Sequence, residues 1–244
     1  MASPVSPTCL KEEQGKNLAL HHLQIHFSER VSQWFLNSMD FSTCTQTVAT
    51  VLYKTNVSFE FIPVDISKGE QKAPEYLVIQ PFGQGVRLQD DDGYIVYESR
   101  AIARYITAKY GDQGTPLLPK DPKAYGLSEQ AASIEAFNFH PHVSKAVAEN
   151  MFKNGLTPDH AVYEAAISAL DKHLDVYDTI LAKQKYLAGD EITLADIFHV
   201  AYGSYLPAAG SNVIDTRGKW LSWFKEVSGR ASWQAVKDGV KSTT

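Results

Sequence analysis

At 244 residues the chain has room for one large domain or two small ones, and 44% hydrophobic with 21% charged residues is a globular composition. A formal net charge of −5 gives no basic footprint for nucleic acid, no run reaches the roughly 18 apolar residues of a membrane helix, and the opening MASPVSPTCLKEEQGKN has no apolar signal region. Two cysteines, Cys9 and Cys44, make no disulfide framework, so the expectation is a cytoplasmic protein without nucleic-acid or membrane partners.

Pro, Ser, Lys and Glu at the start predict an arm over residues 1–30. His21, His22 and His26 have no neighbouring Cys, Asp or further His to complete a metal set, so packing or surface roles are expected of them. Residues 31–37 (VSQWFLN) read as a first strand. Ser42-Thr43-Cys44-Thr45 precedes an apolar-periodic run with Val48, Val51 and Leu52, which is a helix start with an N-cap residue. Residues 59–64 alternate as a second strand. Val86-Arg87-Leu88 and Tyr94-Ile95-Val96-Tyr97 flank the turn Asp90-Asp91-Asp92-Gly93 as a hairpin. Glu98-Ser99 then opens a helix with Ala101, Ile102, Tyr105 and Ile106 at helical spacing, ended by Gly111.

The three prolines of residues 115–122 predict a linker. Strand signals vanish beyond it. Tyr163, Ile167, Leu170, Leu174, Tyr177 and Leu181 form one apolar helix stripe, read as core packing. Thr193 and Asp196 have the spacing of a capping box, with Ile192 and Ile197 as its hydrophobic staple. Residues 220–236 complete a helical segment. The expected architecture is α/β followed by all-α: an arm over 1–30, an α/β domain over 31–114, a linker over 115–122 and a helical domain over 123–244.

The stretch from Pro81 to Tyr110 carries the chemistry. Ser99 sits where a helix starts, so free N–H groups and the positive dipole end suit a carboxylate. Glu98 beside it suits an ammonium group. Together they fit an α-amino acid head group; equally, Ser99 only caps the helix and Glu98 only complements its dipole.

PFGQ, a short strand, an acidic-Gly turn and Glu-Ser-Arg-Ala-Ile-Ala together resemble the glutathione-binding half of a glutathione transferase, most closely the phi class and its fungal relatives. YLAGDEITLADIFHV is similar to the buried helix-start motif of that family's C-terminal domain. The resemblance implies a thioredoxin-like first domain, glutathione as substrate or catalytic co-substrate, a hydrophobic electrophile as the second substrate, a homodimer and no metal. It implies that Glu98 and Ser99 hold the γ-glutamyl end. Lys72 would reach the glycine carboxylate, with Gln71 where the family often has His. Gln84 and the backbone of Gly85 and Val86 would meet the middle of the peptide. Ser42 matches the catalytic serine, with Thr43 as a second donor. A hydroxyl at a helix N-terminus stabilises a thiolate whose free pKa of about 8.5 leaves it protonated at neutral pH. Cys44 is the rival nucleophile, two positions from where the thiol-transferase classes carry theirs. Phe41, Phe137, Phe139, His140 and His142 are candidate walls of the hydrophobic site; His140 and His142 lack a third metal ligand.

The chain departs from the family at Gln84-Gly85-Val86-Arg87-Leu88, where the family reads Gln-Val-Pro-Ala-Leu with a cis proline. A cis bond before valine costs about 2.5–4 kcal/mol against roughly 0.5–1 before proline, so a trans bond and a reshaped loop are expected, or else a retained cis bond under strain. Either way glutathione should be weakened or repositioned. Arg87 is expected near the site or in solvent. The leading expectation is thiol addition to an electrophile, with a specialised role in fungal secondary-metabolite biosynthesis. The alternatives are a glutathione-dependent double-bond isomerase and a non-catalytic binding or regulatory member of the fold.

Overall fold

The computed structural model describes residues 34–39, 41–153 and 156–243. The predicted arm, with His21, His22 and His26, lies outside the described residues, as does the start of the first predicted strand. Strand β1 (Trp34–Ser38) leads into helix α1 (Thr43–Lys54), and β2 (Phe59–Pro63) returns parallel to β1, with Trp34 opposite Phe59. Two single turns and the short helix α2 (Pro74–Leu77) follow, then the hairpin β3 (Arg87–Gln89) and β4 (Ile95–Tyr97) and helix α3 (Ser99–Tyr110). The sheet order is β2-β1-β3-β4, with β3 antiparallel to both β1 and β4. This is the expected thioredoxin-like arrangement.

Period-2 alternation sorts the residues of the sheet. Leu36 and Leu88 face each other with no exposure and pack toward α1 and α3. Asn37 and Arg87 pair on the opposite face, where Arg87 Nη2 donates to Asn37 Oδ1 at 3.2 Å and the guanidinium lies 5.5 Å from the Tyr76 ring. Arg87 is therefore not a free solvent group: on the face opposite Leu88 it packs against Tyr76. Its Nε and Nη1 are enclosed without a hydrogen-bond partner among the described residues, and burial lowers its pKa.

The second half is helical: α4 (Pro122–Ile134), a wide π turn over Glu135–Phe139, α5 (His140–Met151), α6 (His160–Leu181), α7 (Leu194–Tyr205), α8 (Gly218–Ser228) and α9 (Ala231–Gln234). Asp121 and Asp159 cap α4 and α6 by accepting from the second and third backbone N–H groups of each helix. The predicted α6 stripe is buried except at Ile167, which is only partly so. At α7 the Thr193 N–H donates to Asp196 at 2.8 Å, as the capping-box spacing predicts. Phe139, Tyr177, His199, Trp220 and Trp223 form one aromatic cluster at the centre of this half. Among the described residues no helix is long and apolar enough to cross a membrane.

Candidate glutathione-binding and catalytic site

Helix α1 starts at the end of β1 with Ser42 as its N-cap, at φ −68° and ψ 130°. Its carbonyl accepts from Gln46 N at 2.9 Å, but its hydroxyl makes no cap hydrogen bond. An N-cap serine ordinarily spends its oxygen on the helix; here, among the described residues, the oxygen has no partner at the positive end of α1. Thr43 is 6% exposed and lies against the Tyr202 phenol, so of the two hydroxyls Ser42 is the accessible one.

Helix α3 starts on the same cleft. Glu98, just before it, is exposed and holds φ 70° and ψ 113°, a backbone state rare outside glycine. That turn places Ser99, 8% exposed, in the cleft beside Thr43, Cys44 and Thr47 of α1. Arg100 of α3, His140 of α5, and Phe198 and Tyr202 of α7 complete the floor. The enclosed part measures about 10 Å³, room for about one water, so a peptide bound here would lie along the mouth. Cys44 is half-buried, with a free thiol.

Behind Ser99, Arg100 forks onto Glu135 with bonds of 2.9 and 2.8 Å, joining the sheet half to the π turn. Arg104 reaches Glu129 at 2.8 Å from the same helix face. Burial pushes the Glu135 carboxyl up to about 7, against the pull of Arg100 and Arg104. His140 stands edge-on to Tyr202 at 4.9 Å, and burial together with the Arg100 charge pushes it down to about 4, so its imidazole is neutral.

The loop before β3 frames the far side. Lys72 Nζ donates to the Phe82 carbonyl at 3.1 Å and lies across Gly83, which sits at φ +59°. A Cβ on Gly83 would fall 2.7 Å from that Nζ, so both backbone and space require glycine. Gln71 Oε1 is enclosed with no partner among the described residues. Gln80 accepts from Gln84 N at 3.2 Å. The Tyr76 hydroxyl lies 3.0 Å from the carbonyls of both Gln84 and Gly85 and donates between them. Val86 is buried in the core, and the Gly85–Val86 bond is trans.

Of the expected glutathione residues, Thr43 and Ser99 line one cleft, with Ser42 and Glu98 next to them in the chain, while Gln71, Lys72, Gln84, Gly85 and Val86 frame the loop before β3. Of the expected substrate walls, Phe41 is on the rim: its carbonyl accepts from the Tyr205 hydroxyl at 3.4 Å, and the Phe152 ring meets Tyr205 at 6.2 Å. His140 is in the cleft floor. Phe137 points outward at 76% exposure, Phe139 is in the aromatic cluster, and His142 stacks on His173 at 5.1 Å. The π turn causes this: five residues in one wide turn rotate the following side chains away from ordinary helical spacing. Tyr202, Tyr205 and Phe152, which share the region, were not legible because nothing local in α5 or α7 marks them as neighbours of Ser42.

The order β2-β1-β3-β4, the helical second half and a cleft at two helix starts define the glutathione transferase fold. The glutathione S-transferase N-terminal domain family matches residues 32–108 and the C-terminal domain family residues 132–231. Glutathione S-transferase PM239X14 of Arabidopsis thaliana is 44% identical over 194 residues, covering 78% of this chain and 88% of its own. Glutathione S-transferase hmp2 of Hypomyces subiculosus is 43% identical over 195 residues, covering 78% and 91%. The crystal structure of glutathione transferase F7 from Populus trichocarpa superposes with a TM-score of 0.80 at 33% identity, covering 85% of this chain and 98% of that one. The chain belongs to the glutathione S-transferase family, with phi-type plant and fungal relatives.

Proposed function

We propose that the chain lowers the thiol pKa of glutathione at Ser42 and adds the thiolate to a hydrophobic electrophile seated between Phe41, Phe152 and Tyr205. The observation that carries the reading is the Ser42 hydroxyl, which makes no cap hydrogen bond at the positive end of α1 and precedes Thr43, a wall of the cleft where α3 also starts. A thiolate there receives one O–H donor and free backbone N–H groups. The γ-glutamyl end goes to Ser99 and Glu98, the glycine carboxylate toward Lys72 and Gln71. Thr43 serves through Tyr202 more than as a direct donor. The carbonyls of Gln84 and Gly85, spent on Tyr76, support weaker binding of the cysteinyl backbone than proline-bearing relatives achieve.

In this reading residues 31–114 bind glutathione, 115–122 link and 123–244 supply the second-substrate wall. The working form is a cytoplasmic homodimer, and a specialised, biosynthetic substrate fits the departure at Val86. Glutathione titration by calorimetry from pH 6 to 9, on wild type and Ser42→Ala, tests it. Proton release on binding in wild type alone supports activation by Ser42. Equal release in both moves the role to Cys44 or Thr43, and no binding at all leaves a non-catalytic member of the fold. Net consumption of glutathione during turnover separates conjugation from double-bond isomerisation.

A further inference from the structure

Lys54 ends α1, at the opposite end of that helix from Ser42, and is only 8% exposed. The linker closes over it. Thr115 N donates to the Lys54 carbonyl at 2.9 Å, and Gly114 packs so closely that a Cβ there would fall 2.2 Å from the same oxygen. Most of the Lys54 side chain is buried, but its ammonium reaches the cleft, and among the described residues no hydrogen bond or ion pair holds it. Burial, followed by the Arg230 charge, pushes it down to about 8; Glu226 and Asp196 oppose this.

Neither acid is available as a partner. Glu226 accepts from Arg230 at 2.6 Å and from the Tyr186 hydroxyl at 3.2 Å. Asp196 accepts from Leu187 N, Thr193 N and Trp223 Nε1. A largely desolvated ammonium that no carboxylate engages is open to an anion, and the negative end of its own helix offsets only part of its desolvation. Lys54 and Arg230 both line a cleft of about 540 Å³, within the size range of small-molecule sites. Ser232, on the same wall, has an enclosed hydroxyl with no partner among the described residues. The wall thus offers two cations and a free hydroxyl against one carboxylate that is already engaged.

We propose that this cleft is an anion site that takes a phosphate or sulfate group, free or as the ester of a small molecule. The ammonium of Lys54 and the guanidinium of Arg230 supply charge, and Ser232 supplies a directional donor. Tyr53 and Pro116, also in the wall, offer apolar surface to the organic part of an ester.

The test is calorimetric titration of the full chain with inorganic phosphate and with phenyl phosphate at constant ionic strength. Wild type should bind one equivalent of phosphate, Lys54→Met at least tenfold more weakly, and Ser99→Ala as wild type does. Ser232→Ala should weaken binding severalfold, which keeps the test decisive if Lys54→Met does not fold. Phenyl phosphate binding tighter than phosphate assigns the site to an ester; equal binding assigns it to the free ion. No phosphate binding, or binding that survives Lys54→Met or Ser232→Ala, overturns the proposal. Loss in Ser99→Ala also overturns it, because the anion then sits at the glutathione cleft. Failure of the glutathione reading is seen separately, in the glutathione titration.

Discussion

Asp196 is fully enclosed and takes four donors: Thr193 N at 2.8 Å, Thr193 Oγ1 at 3.2 Å, Leu187 N at 3.0 Å and Trp223 Nε1 at 3.0 Å. One carboxylate thereby caps α7, holds the turn before it and anchors α8. Burial raises its pKa while these donors pull the other way. Asp196→Ala leaves the Thr193 cap but breaks its half of the capping box and orphans buried donors at about 1–3 kcal/mol each, so a loss of about 3–5 kcal/mol in urea unfolding is expected, with Asp196→Asn losing less. A cost near that of an exposed substitution would mean the orphaned donors find other partners. The sequence announced this residue, because Thr193 and Asp196 stand three apart within an apolar frame. It equally announced Ser42 and Ser99 as helix starts. What spacing did not reveal is that the Ser42 hydroxyl leaves its cap unmade, or that Glu98 turns to positive φ; both depend on what surrounds the backbone. Arg87 is a different case. The alternation that buries Leu88 already assigns Arg87 to the other face, beside Tyr76.

Helix α1 has a sequence, TCTQTVATVLYK, in which β-branched residues weaken helix propensity. It is nonetheless buried on nearly every side, between the sheet and α7. Thr47, Thr50 and Thr55 meet that burial by donating to the carbonyls of Thr43, Gln46 and Val51. Packing decides the element here, while the N-cap and the Val48, Val51 and Leu52 spacing still marked it. The π turn at 135–139 left no such mark, and with it went the placement of Phe137 and His142. The edge strand β2 shows a second feature without a local signal. Phe59 N donates to Thr243 Oγ1 and Phe61 N to Ser242 Oγ, both at 2.9 Å, and Thr243 N donates to the Phe59 carbonyl at 3.0 Å. These contacts cover an edge that would otherwise present unpaired backbone groups. A chain ending at Lys241 should lose about 1–3 kcal/mol at roughly 1 kcal/mol per bond and self-associate on heating, read by urea unfolding and light scattering. Unchanged stability together with unchanged scattering would show that the tail covers nothing of consequence.

Across the whole molecule, the two halves meet through buried titratable groups, and this gives stability a pH dependence of defined sign. His199 is unexposed, with Nδ1 donating to the Ala195 carbonyl at 2.7 Å and Nε2 accepting from the Tyr177 hydroxyl at 3.1 Å. Burial pushes it down to about 3, and His140 down to about 4, from an ordinary 6.5. Below pH 6.5 the unfolded chain binds two protons that these residues refuse in the folded state, so their contribution is full above 6.5 and is lost as pH falls. Glu135 acts oppositely. Raised from 4.5 to about 7, it holds a proton in the folded state that the unfolded chain releases between those values, so its contribution grows as pH falls. His142, also lowered, adds to the histidine side, and Asp196, raised, to the carboxyl side. One proton corresponds to about 1.4 kcal/mol per pH unit. Urea unfolding of wild type between pH 6.5 and 4.5 gives the reference slope. His199→Gln, whose amide can still donate to Ala195 and accept from Tyr177, should reduce the loss on acidification by about that amount, and Glu135→Gln should increase it by about as much. A His199→Gln slope equal to wild type would mean that His199 already carries its proton in the folded protein. The aromatic cluster around it would then have to hold a charge at the junction that the geometry assigns to a neutral ring.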